Sequence, residues 1–75
     1  MKAILTKKGA KRLELRGMAG KQVEISDVRV RPWGSKGATL WINGHVYAQS
    51  VHVYTPGHGK DCALILLGQE QYHHA

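Results

Sequence analysis

Apolar side chains in residues 40–54, LWINGHVYAQSVHVY, fall on both faces of an extended chain. Strict alternation would leave one face wet. Asn43-Gly44 is the favoured pair for a type I′ turn, which needs positive φ at both positions. The spacing therefore predicts a hairpin with Ile42 opposite His45, Trp41 opposite Val46 and Leu40 opposite Tyr47. Its second strand runs towards Tyr54 with a bend near Ser50. One face then carries Leu40, Ile42, Tyr47, Val51 and Val53. The other carries Trp41, Val46, His52 and Tyr54.

The same periodicity organises the rest of the chain. Residues 3–6 predict a short first strand. Residues 7–12, with Gly9 among lysines, predict a turn or one helical turn capped by Thr6. Leu13 and Leu15 are two apart, which is strand spacing. With Gly17 and Gly20 at a turn and Val23 and Ile25 returning, they predict a hairpin. Val23 and Ile25 are odd, whereas Val28 and Val30 are even. One extra residue at Ser26 or Asp27, a bulge that bends the strand, reconciles the two pairs. Residues 31–37 and 55–61 are rich in Gly and Pro and predict loops. Residues 62–67 are continuously apolar, as in a strand buried on both sides, and residues 69–75 form a polar tail. The expected fold is all-β, a small, strongly bent antiparallel barrel of five or six short strands, SH3-like or OB-like. Residues 1–75 make one domain, including the tail.

Composition sharpens this. A 75-residue domain without Phe buries only about 60% of its unfolded surface and has a thin core. The single cysteine, Cys62, excludes an internal disulfide and fits a reducing compartment. The start lacks the long apolar stretch of a signal peptide, and residues 63–67 are too short to span a bilayer. A cytoplasmic protein without membrane contact is expected.

The net charge of +6 is one-sided. Residues 1–31 hold nine of the eleven bases and three acids, and residues 32–75 sum to zero. Such asymmetry favours a polyanion partner, with nucleic acid (DNA or RNA) first. If Leu13, Leu15, Val28 and Val30 point inward, then Arg12, Arg16, Arg29 and Arg31 share one solvent face. Guanidinium forks match phosphate oxygens bidentately. Lys7, Lys8, Lys11 and Lys21 would lengthen that path. Lys36 would join it beside Trp33, and Trp33 and Tyr54 would contact bases.

A competing expectation starts from the second hairpin face. Trp41, Val46, His52 and Tyr54 would make a protein interface, since aromatic residues are enriched in such patches. The partner would be a larger host enzyme inhibited by this chain, or a second copy of it. His52, His58 and Cys62, with an H-x3-C spacing, and His73 and His74 are the candidate metal ligands. There is no CxxC or HxxxH pairing, so no metal and no cofactor is expected. Ser50 with His45 or His52, and Cys62 with His58, are the nearest approach to catalytic pairs. A small nuclease using His52 or His58 beside Arg29 is the enzymatic rival. The reading favoured by these residues is a non-catalytic nucleic-acid-binding accessory or regulatory protein, of a size and basicity suggesting a phage or mobile element.

Overall fold

Alternation of buried and exposed positions builds the first wall. In a computed structural model describing residues 1–57 and 61–68, β1 (Lys2–Leu5) turns Ala3 and Leu5 inward. β2 (Gln22–Val30) turns in Val23 and Ile25. The two strands pair antiparallel, with Ala3 opposite Val23. β3 (Lys36–Ile42) and β4 (His45–Val53) extend the meander, and β5 (Leu64–Leu66) returns to pair antiparallel with β1. The five strands close into a small β-barrel in sequential order, a meander and not a Greek key. The antiparallel expectation needs one amendment. β4 meets β5 in parallel, at the single position Val53–Leu64.

The core is aliphatic apart from the Cys62 thiol. Leu5, Ile25, Leu40, Leu64, Val53 and Cys62 are its largest fully buried side chains. Among the described residues no aromatic ring is fully buried, so the two Trp, Tyr47 and Tyr54 all keep surface. The 62–67 run is not uniformly enclosed. Cys62, Ala63 and Leu64 are buried, Ile65 and Leu66 are half-buried, and Leu67 is exposed.

The predicted hairpin at Leu13 and Leu15 does not form. Thr6 caps a short helix α1 (Lys7–Arg12), its hydroxyl accepting from Gly9 N at 3.0 Å and donating to the Cys62 carbonyl at 2.6 Å. α1 then ends in a Schellman turn. Leu15 N donates to Ala10 O at 2.7 Å and Glu14 N to Lys11 O at 3.3 Å, with Glu14 at φ 60°. That reversal turns both leucines onto the core, along with Met18 of the following 3-10 turn, Arg16–Met18. Two-residue spacing thus arises from a helix end and not from a strand. α1 packs so closely that a Cβ on Gly9 would lie 2.6 Å from Ala63 Cα. Only glycine fits this seat.

The Asn43-Gly44 turn forms as expected, with φ of 52° and 79°. Ile42 pairs with His45 and Trp41 with Val46. Leu40, however, faces Ala48 and not Tyr47, because β4 carries two register shifts. Tyr47 is therefore 44% exposed, and its hydroxyl donates to the Leu13 carbonyl at 2.5 Å. The second shift leaves Ser50 at φ 55°, the site of the expected bend. The β2 bulge also falls where parity placed it. Pairing with β3 shifts between Ser26 and Arg29, and Asp27 has φ 53°. His58, Gly59, Lys60 and the 69–75 tail lie outside the described residues.

Candidate nucleic-acid interface

The cations form two groups. The first occupies the crossover from β1 to β2. Residues 7–21 supply Lys7, Lys8, Lys11, Arg12, Arg16 and Lys21 against Glu14. Asp61, missed by sequence reasoning, reaches this group from before β5. It accepts from Arg12 at 2.6 Å and lies 3.7 Å from Lys8. The hydrogen bond from Arg12, with the charges of Arg12 and Lys8, holds the Asp61 carboxyl below its usual range. Six cations against two acids leave a net charge of +4. Among the described residues, no ion pair engages Lys7, Lys11, Arg16 or Lys21. At the start of β2, Glu24 is instead neutralised by the terminal ammonium and Lys2.

The second group lies past the β2 bulge. Arg12 closes α1 and Arg16 opens the 3-10 turn, whereas Arg29 lies on β2 and Arg31 just past it. Arg12 and Arg16 therefore have no place in a strand ladder with Arg29 and Arg31. The ladder expectation depended on the 13–15 strand, which the Schellman turn replaces. Val30 also departs from expectation, being 67% exposed where an inward side chain was predicted. It is the last residue of β2, opposite Lys36, at the rim where the core ends.

Arg29 stands opposite Gly37, and Gly37 opposite His52, so the three form one row on the outer face of the sheet. Without a side chain at Gly37, the Arg31 guanidinium lies flat against the sheet. A Cβ there would come within 2.6 Å of Arg31 Nε. Arg31 donates to the Ser50 carbonyl, which the β4 bulge turns towards it, and to Ser35 Oγ at 3.5 Å. Its Nε is buried with no hydrogen-bond partner. No carboxylate neutralises it among the described residues.

Residues 31–34 form a β-turn, Gly34 N donating to Arg31 O at 2.9 Å, and Arg31 N donates to Ser35 O at 2.7 Å. Pro at the second position and Gly at the fourth suit this turn. It carries Trp33 at its tip, 67% exposed, with Arg31 Cζ 5.5 Å from the ring centroid. Beside it lies a cleft of about 440 Å³ whose walls include Asp27, Arg29, Arg31, Thr39, Gln49 and Ser50. Gln49 and Thr39 gave no signal in the sequence. Two bulges bring them there, the one on β2 expected from parity and the one on β4 expected as a bend near Ser50.

No protein-family model, curated protein or solved structure matches this chain. Lys36, half-buried at the start of β3, donates its backbone N–H to Thr55 Oγ1 at 3.0 Å. Tyr54 and His52 are half-buried at the β4–β5 seam, where Tyr54 N donates to Leu64 O at 2.8 Å. Trp41 is half-buried, its indole N–H donating to Ser26 Oγ at 2.7 Å. Val46 beside it is 46% exposed. Among the described residues, no three His, Cys, Asp or Glu side chains gather as a metal site, and His58, His73 and His74 lie outside them. No helix among them is long and apolar enough to cross a membrane.

Proposed function

We propose that the protein is a non-catalytic nucleic-acid-binding barrel acting as an accessory or regulatory factor. The carrying observation is the crossover at 7–21, where six cations crowd one end of the barrel and four of them have no ion partner among the described residues. Cations left without carboxylates lose little when phosphate displaces water and counterions, and binding then weakens steeply with salt. The short α1 and its Schellman turn hold these side chains on a fixed scaffold. The second basic group, at Arg29 and Arg31, adds to the same preference for polyanions.

The test is fluorescence anisotropy of labelled oligonucleotides across a salt series. Changing Lys7, Lys11, Arg16 and Lys21 together to Ala should flatten the slope of log affinity against log salt by up to about 3 for a single strand, about 0.7 per lost contact. Flat titrations of the unaltered protein at low salt would end the proposal. A protein-docking role keeps one observation in its favour, the exposed Val46 and Tyr47 next to Trp41. The polar groups of both rings are already satisfied internally, by Ser26 and Leu13, which makes this the second choice.

A further inference from the structure

We infer that the cleft between the 31–34 turn and the β4 bulge seats one unpaired nucleotide of a single-stranded nucleic acid, with its phosphate on Arg29 and Arg31 and its base against Trp33. This rests on the nucleic-acid reading above and adds a strand preference that the crossover alone does not supply.

Three observations converge on it. First, the cleft measures about 440 Å³, within the roughly 300–1,000 Å³ typical of small-ligand sites. Second, its cations lack counter-charges. Arg31 is held by a carbonyl and a hydroxyl only, and no ion pair engages Arg29 among the described residues. Half-buried guanidinium without a carboxylate is an anion-seeking arrangement. Asp27, the one acid in the wall, is close to the Ser26 hydroxyl at 3.4 Å. Third, Trp33 projects from a closed turn with most of its surface in water. Trp33 stands just outside the cleft, next to its wall residue Pro32, so a base extending from the cleft meets the ring, and stacking accepts any base because each has a π-face.

Size and chemistry together exclude a duplex from this seat. A paired base has both faces covered by its neighbours and cannot stack on a side chain until it is extruded. Gln49, Thr39 and Ser50, in the same wall as Arg29 and Arg31, add amide and hydroxyl groups that can donate to or accept from the sugar and phosphate seated there. The crossover makes no such distinction, because phosphates are present on both kinds of strand.

The experiment compares a labelled single strand with a duplex of equal phosphate number at one salt concentration. The unaltered protein should bind the single strand at least tenfold more tightly. Trp33→Ala should weaken single-strand binding by roughly 5- to 150-fold, the range for one stacked base, and leave duplex binding within about twofold. Arg29→Ala, at an exposed position, should reduce the same preference. Circular dichroism of both variants checks that the barrel is intact. Equal affinity for both strands, with Trp33→Ala silent, overturns the cleft assignment while the nucleic-acid reading stands. If neither strand binds, both fall together. Free mononucleotide competing as well as the strand itself would make this a mononucleotide site and overturn the strand assignment.

Discussion

Gly9→Ala sets two magnitudes against each other. Gly9 lies inside α1, and Ala is favoured over Gly in a helix by about 1 kcal/mol. On propensity alone the substitution stabilises. The added Cβ, however, would sit 2.6 Å from Ala63 Cα and 2.7 Å from both its Cβ and its carbonyl oxygen. These are mostly backbone atoms, which cannot swing aside as the end of a long side chain can. Overpacking of this kind costs about 1–3 kcal/mol, and here the upper half applies. The net loss is then about 1–2 kcal/mol. At about 4–8 °C per kcal/mol for a small domain, the melting temperature should fall by about 5–15 °C. Thermal unfolding followed by far-UV circular dichroism reads this directly. Gly17→Ala is the control, because nothing lies within 4 Å of its added methyl and its φ is not positive. It should be neutral or gain about 0.4–1 kcal/mol through the unfolded chain. A Gly9→Ala variant that melts at or above the parent temperature would refute the claim that α1 is seated backbone-to-backbone on Ala63.

Asp61→Asn should strengthen single-strand binding and steepen its salt slope by up to about 1.4, since Arg12 and Lys8 are released to phosphate; a titration series at several salt concentrations measures this. The same variant should flatten the acid side of the stability profile. The Asp61 carboxyl is lowered in the folded state chiefly by the Arg12 hydrogen bond, so its contribution is present above roughly pH 4 and lost as pH falls through the lowered folded value. Urea midpoints against pH test it, with Glu24, lowered first by the terminal ammonium, retaining its own share. Cys62 is buried, and burial pushes its thiol up; a thiol reagent should label it only in denaturant, and rapid labelling of the folded protein would contradict its place in the core.

Local chemistry was legible where one residue type has one conformational use. Asn43-Gly44 announced its turn, Thr6 its cap, and the parity break at Ser26 and Asp27 its bulge. Leu13 and Leu15 misled because the left-handed position between them is filled by Glu14 and not by the glycine that would have marked a helix end. That single error joined Arg12 and Arg16 to Arg29 and Arg31. The outward parity of Arg29 and Arg31 was readable. What held Arg31 down was not, since it depends on the missing side chain of Gly37 and on a carbonyl that Ser50 presents only after two register shifts on β4. Tyr47 changed face for the same reason. Long-range register decides such positions, and no stretch of the chain carries it alone.

The seam that shuts the ring, β1 against β5, has three matched positions, Ala3 with Leu66, Ile4 with Ile65 and Leu5 with Leu64. The strands before it are joined by near neighbours in the chain, whereas β5 must travel from beyond residue 61 to meet residues 3–5. Loop-closure entropy therefore defers this contact to the end of assembly. The cylinder is fastened by a narrow clasp, set after the ribbon has already curled. Thr6, which bonds both to α1 and to the Cys62 carbonyl, sits on that clasp, so the basic crossover gains its rigid footing at the moment the ring shuts.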